Sequence, residues 1–95
     1  MNKTTNYNYA FLLYDIKENR VQKVFKICKK YFNHHQKSVF RGDITPSNLI
    51  KLKKELLKVI DQHEDFVTII KFLNRSSFSE ETLGINIKQS NSMFI

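Results

Sequence analysis

The chain has 95 residues, 41% of them apolar and 13% aromatic, with two Gly, one Pro and one Cys. That composition predicts one folded domain with short connections; it excludes a disordered chain, a two-domain protein, a disulfide-stapled fold and a membrane span. A formal net charge of +7, from 16 Lys and Arg against nine Asp and Glu, favours an acidic partner, and nucleic acid is the commonest one.

Met1 to Asn8 is rich in Asn and Thr and reads as a flexible leader. It lacks the basic, apolar and small-residue zones of a signal peptide, so the expected location is the cytoplasm and no membrane partner is expected. Tyr9-Ala10-Phe11-Leu12-Leu13-Tyr14-Asp15-Ile16 follows as the dominant apolar run. Its aromatic and branched residues suit a pleated surface, and its near-continuous apolarity predicts a central β-strand buried on both faces. Asp15 closes that strand. A carboxylate on a rigid strand end is well mounted for metal or phosphate chemistry, and an Asp where a strand gives way to a helix also serves as a turn or cap residue; the strand alone leaves both readings open.

Lys17 to Phe32 carries Val21, Val24, Phe25, Cys28, Tyr31 and Phe32 at helical spacing, which predicts an amphipathic helix. Its other face holds Lys17, Arg20, Lys23, Lys26, Lys29 and Lys30, a pattern equally suited to phosphates and to plain solvation. Cys28 lies in the apolar stripe and reads as a small buried hydrophobe, not as a nucleophile. Asn33 to Ile44 changes to short extended pieces around Val39 and Phe40, with a Gly42-Asp43 pair, and predicts one or two strands. Thr45-Pro46 then opens a second helix with Thr as N-cap and Pro at the first helical position. Leu49, Leu52, Leu56, Val59 and Ile60 make its buried stripe.

Phe66 to Leu73 is a second strongly apolar run and is expected to be another central strand. The tail is polar and Ser-rich up to Leu83-Gly84-Ile85-Asn86-Ile87 and finishes in Met93-Phe94-Ile95. An apolar finish of this kind is expected to dock, as an added strand on its own sheet or on a partner's, over residues 84–95. The element order is that of an α+β, ferredoxin-like βαββαβ domain with an extra C-terminal strand, both helices lying on one face of an antiparallel sheet. The opposite face then needs a cover, and a second copy stacking sheet to sheet is the simplest one.

No Gly-rich phosphate loop, paired-Cys motif or helical His-Glu-x-x-His is present. His34 and His35 are adjacent and point to opposite faces of a strand, so they cannot share an ion. His63, beside Glu64 and Asp65, reads as part of a solvated turn. No triad of nucleophile, base and orienting residue can be assembled. What remains is Asp15, a basic surface and an expected homodimer. A two-fold axis near the end of the first strand would bring two Asp15 carboxylates around a Mg²⁺, which acidifies water for attack on phosphorus. The competing reading is a scaffold whose basic flanks hold duplex DNA.

Three motifs in order carry a family resemblance: Tyr14-Asp15-Ile16 ending the first strand, Arg20-Val21 opening the first helix, and Gln36-Lys37-Ser38-Val39-Phe40-Arg41-Gly42-Asp43-Ile44 before the second helix. Together they resemble the CRISPR-associated Cas-two family from Tyr9 to about Leu83. The resemblance implies a ferredoxin-like homodimer with stacked sheets and a C-terminal strand crossing to the partner. It implies a subunit of CRISPR adaptation that bridges the integrase and helps hold incoming double-stranded DNA. It also implies a Mg²⁺-dependent endonuclease on RNA or double-stranded DNA, with Asp15 as metal ligand and catalytic carboxylate, and Tyr14, Arg20, Ser38 and Phe40 as supporting catalytic residues. Two departures stand out: His34 occupies a position where many relatives carry Arg, and the start Met1 to Asn8 is longer than usual.

The candidate nucleic-acid contacts are Arg20, Lys23, Lys26, Lys30, Lys37 and Arg41. The leading reading is therefore a DNA-binding CRISPR adaptation subunit with endonuclease activity at paired Asp15. The alternatives are a non-catalytic DNA-binding scaffold, or a ferredoxin-like RNA-binding module outside CRISPR. That last one needs aromatic side chains on the open sheet face beside a basic-aromatic strand motif, and none is legible.

Overall fold

The computed structural model describes residues 6–84. The elements are β1 (Tyr9–Asp15), α1 (Glu18–Tyr31), β2 (Asn33–Gln36), β3 (Val39–Asp43), α2 (Pro46–Leu57) and β4 (Phe66–Phe72), followed by a short 3₁₀ turn, Arg75–Ser77. The four strands form one antiparallel sheet in the order β2-β3-β1-β4. This is the expected α+β, ferredoxin-like βαββαβ arrangement. The expected extra strand over residues 84–95, with Phe94 and Ile95, lies outside the described residues except for Gly84.

Each element follows from local chemistry. Thr45 caps α2 as expected, its side chain accepting the Asn48 N–H at 3.1 Å, and Pro46 stands where a missing N–H costs nothing. α1 turns Val24 and Cys28 inward and keeps Lys29 and Lys30 in its last turn, where the helix dipole favours cations. The β2–β3 turn is tight enough to put Lys37 at φ 42°, and His34 Nε2–H donates to the Lys37 carbonyl across it at 2.8 Å. His34 also packs on Phe25 and Phe40, whereas its neighbour His35 is buried.

The core lies between the helices and one face of the sheet. Ala10, Leu12 and Tyr14 of β1 and Phe40 of β3 meet Val24 and Cys28 of α1 and Leu49, Leu52 and Leu56 of α2. The cross-strand register assigns the other face: Phe11 stands opposite Arg41 and Ile70, Leu13 opposite Val39 and Thr68, and Asp15 opposite Phe66. No described helix covers that face.

Three expectations change here. Among the described residues β4 is an edge strand, not a central one, and its apolar run leaves Phe66 55% and Ile70 46% exposed. β1 is central in the sheet but is not sealed on both faces; Phe11 and Leu13 are only half-buried. Asn8, placed in a flexible leader by its sequence, is instead tied into the sheet, donating to the Phe72 carbonyl at 3.1 Å and accepting the Ile44 N–H at 3.0 Å.

The open face is partly closed by the chain itself. After β4 the Arg75–Ser77 turn, capped by Asn74 and tied to Asp43 through Arg75 at 2.8 Å, brings Phe78 back over Tyr9, Phe11 and Phe72. The face does therefore carry aromatic rings, which the unbroken apolarity of β1 hid, but Phe78 packs over them. Among the described residues nothing covers the half bearing Leu13, Asp15, Phe66 and Ile70.

Burial sets an expected stability ranking. Phe40→Ala, which empties the centre of the core, should cost about 3–5 kcal/mol in urea-unfolding free energy. Leu57→Ala, at a side chain 56% exposed, should fall within about 0.5 kcal/mol of the native protein. Equal losses at the two positions would contradict this core.

Candidate functional site

At the end of β1 the pleat separates two neighbours. Tyr14 points into the helix layer, is buried and stacks on Phe40 at 6.1 Å. Burial, aided by the nearby Cys28 thiol, pushes the Tyr14 hydroxyl above its ordinary value. Asp15 points to the open face, is exposed, and makes no side-chain hydrogen bond or ion pair among the described residues. It neither caps α1 nor closes a turn: the N-cap of α1 is Lys17, with no side-chain cap. Ser38 meets this end of the strand through its backbone, its carbonyl accepting the Tyr14 N–H at 3.1 Å. Phe40 is fully buried on the helix side. Thus Asp15 and Ser38 share the sheet end, while Tyr14 and Phe40 support it from beneath.

Arg20 is engaged within the protomer. Its Nε donates to Asp65 Oδ2 at 2.6 Å, and its Nη2 donates to Asp65 Oδ1 at 3.1 Å and Glu64 Oε1 at 2.8 Å. The hydrogen bond to Asp65 first, and that to Glu64 second, hold the guanidinium in its charged form. Asp65 also accepts the backbone N–H of Lys17 at 2.8 Å and of Asp61 at 2.9 Å, with its side chain fully buried. The Arg20 hydrogen bond is the main cause that holds this carboxyl well below its ordinary value, against the opposing effect of burial.

The sequence places Asp65, beside His63 and Glu64, at a solvated turn and does not reveal this hub, because its partners Lys17 and Arg20 are more than forty positions away. One signal was present. Asp65 immediately precedes the apolar run of β4, as Asp15 ends that of β1, so antiparallel pairing brings both acids to one end of the sheet.

The basic candidates divide by partner. Lys30 pairs with Glu55, which also accepts from the Tyr31 hydroxyl, and Arg41 pairs with Glu80 and lies over the Phe11 ring. Lys23, Lys26 and Lys37 are exposed and carry no ion pair among the described residues. Burial pushes the Cys28 thiol up to about 12, in keeping with a structural role. Among the described residues no three His, Cys, Asp or Glu side chains group as metal ligands. No described helix is long and apolar enough to cross a membrane.

The family model described as "CRISPR associated protein Cas2" matches residues 8–80. The chain is 49% identical over 77 residues to a CRISPR-associated endoribonuclease Cas2 of Thermodesulfovibrio yellowstonii, covering 81% of this chain and 88% of that one. It is 39% identical over 77 residues to the protein of that name from Thermotoga maritima, again covering 81% and 88%. Among solved structures, a crystal structure of Cas2 superposes with a TM-score of 0.78 at 29% identity over 84% of this chain and 90% of that chain. Streptococcus pyogenes Cas2 superposes with a TM-score of 0.72 at 27% identity over 80% of this chain and 99% of that chain.

Two outcomes follow from the site's electrostatics. The Cys28 thiol should resist a disulfide reagent at neutral pH in the native protein and react promptly once urea unfolds it; equal rates would place it at the surface. Asp65 has a folded value below the ordinary 3.8, so its contribution to stability is complete above that value and is lost as pH falls through the folded one. Unfolding free energies of the native protein and Asp65→Asn should therefore differ most near neutral pH and converge in strong acid. A constant gap across the titration would contradict the ion pair.

Proposed function

Because the chain belongs to the Cas2 family of CRISPR-associated proteins, we propose that it acts as a homodimeric, metal-dependent endonuclease in which two copies of Asp15 share one divalent cation, Mg²⁺. Family membership sets aside the reading of an RNA-binding module outside CRISPR. The carrying observation is the position of Asp15: a carboxylate with no partner among the described residues, on a rigid strand end, at the margin of the half of the sheet that those residues leave open and apolar.

Stacking of two such faces would cover Leu13, Phe66 and Ile70 and would place like charges in proximity unless a cation lies between them. One carboxylate per protomer is too few for a closed metal cage, whereas two suit a small hard cation that keeps much of its hydration. When bound, that cation supplies Lewis acidity toward a phosphodiester. Asp15 orients it, and Tyr14, buried and protonated, stiffens the strand from below without touching the open face. Relatives bearing the name endoribonuclease support RNA as a substrate class.

A second reading is carried by a different observation. Lys23 and Lys26 of α1 lie three positions apart on an exposed face with no ion-pair partner among the described residues, a disposition suited to the backbone of duplex DNA. In that role the dimer is a cytoplasmic adaptation subunit that holds double-stranded DNA and bridges the integrase, with or without hydrolysis.

The two are separable by substitution. Asp15→Asn should lower Mg²⁺-dependent cleavage of labelled RNA or duplex DNA by about 100-fold or more while sedimentation still reports a dimer. Cleavage at the native rate would overturn the nuclease reading. Lys23→Glu with Lys26→Glu should weaken duplex DNA binding and flatten the slope of log affinity against log salt by about two, leaving Asp15 chemistry in place. An unchanged slope would remove those lysines from the DNA contact.

A further inference from the structure

Three anchors bracket Asp15. Its neighbour Tyr14 donates to the Ser38 carbonyl on the β3 side at 3.1 Å, Asp15 itself pairs with Phe66 in the β1–β4 ladder, and two residues on, Lys17 donates to Asp65 Oδ1 at 2.8 Å. The third anchor differs in kind, because it is a side chain supplied from the loop before β4. It takes the part that an N3 Glu takes in a capping box, accepting the backbone N–H of the N-cap residue Lys17, because the N3 residue of α1 is Arg20. A carboxylate there also faces the positive end of the helix. Asp65 is buried, so its charge requires a full set of donors, and Arg20 completes the set that the Lys17 and Asp61 amides begin. Since Asp65 precedes Phe66 directly, one residue joins the strand opposite Asp15 to the turn that follows Asp15.

We infer that Asp65, fastened by Arg20, is a positioning residue that sets where the Asp15 carboxylate stands relative to its copy across the dimer axis. The inference rests on the paired-Asp15 reading. A carboxylate at the last residue of a strand moves with any rotation of the following turn, and the Asp15-Ile16-Lys17 turn is held by the ladder at one end and by Asp65 at the other. Without Asp65 the Lys17 amide and the Arg20 guanidinium lose their shared acceptor, and the turn is held by the strand and by the buried Ile16 side chain, with no polar tie at its Lys17 end. A cation held by one carboxylate from each subunit has no further protein ligand to correct a displaced partner, so a small error in both copies is felt fully.

The test uses the full chain as a dimer and reads Mn²⁺ affinity by electron paramagnetic resonance, beside the metal concentration that half-activates cleavage. Asp65→Asn should weaken Mn²⁺ binding about tenfold and raise the half-activating concentration by the same factor. Leu49→Ala, a core change in the first turn of α2 at the Tyr9 end of the sheet, should lower the unfolding temperature but leave both metal readouts unchanged. A folded Asp65→Asn dimer that binds Mn²⁺ as tightly as the native protein overturns the inference. If Asp65→Asn does not fold, Arg20→Lys carries the test, since it keeps the charge and one donor while removing the two-nitrogen grip. Native Mn²⁺ affinity in that variant would overturn the inference equally. Asp15→Asn separates the two levels: native metal binding there sinks the paired-Asp15 reading itself, whereas loss there with no effect at Asp65 and Arg20 sinks only the positioning role.

Discussion

The pleat of β1 is the constraint on which the rest of the structure depends. Side chains alternate strictly across a strand, so Ala10, Leu12 and Tyr14 enter the core while Phe11, Leu13 and Asp15 face away from it. A slip of one residue would drive Asp15 beneath the helices and expose Leu12, and the cost of an unpaired buried carboxylate forbids it. Register and site are therefore the same decision. The hydrophobic core, by claiming every second residue, delivers the one acid of the strand to the open face.

The helix layer and the loops then define that acid's surroundings. Phe78 folds back over the Tyr9 end of the open face, so that among the described residues the uncovered apolar part of that face lies toward the end where Asp15 stands. Asp65 joins the turn after Asp15 to the first turn of α1 and to the start of β4. The same ion pair that stabilises the helix start thus braces the candidate site. Arg20 contributes to that brace; its guanidinium lies between Asp65 and Glu64, where its charge is already matched.

The basic surface is likewise sorted by tertiary neighbours. A chain with 13 Lys and three Arg, 16 in all, has charge to spare, yet Lys30, Arg41 and Arg75 are matched by Glu55, Glu80 and Asp43. Lys23, Lys26 and Lys37 have no match among the described residues, and unmatched charge is what attracts a polyanion and makes its binding sensitive to salt.

Local pattern alone determined a good deal. The helical spacing from Val21 to Phe32, the Thr45-Pro46 start, the two apolar runs and the element order led to the ferredoxin-like fold, and the motif around Tyr14-Asp15-Ile16 led to the family. These features are encoded over a few neighbouring residues, where capping, periodicity and turn chemistry act. Tertiary structure decided the rest. That β4 is an edge, that Phe78 covers half of the open face, that Lys30 and Lys23 differ, and that Asp65 holds Lys17 and Arg20 all depend on residues far apart in the chain. A run such as Phe66 to Leu73 has the same composition whether its neighbour is a strand or solvent, and an acid such as Asp65 shows no partner until the sheet brings the ends of β1 and β4 together.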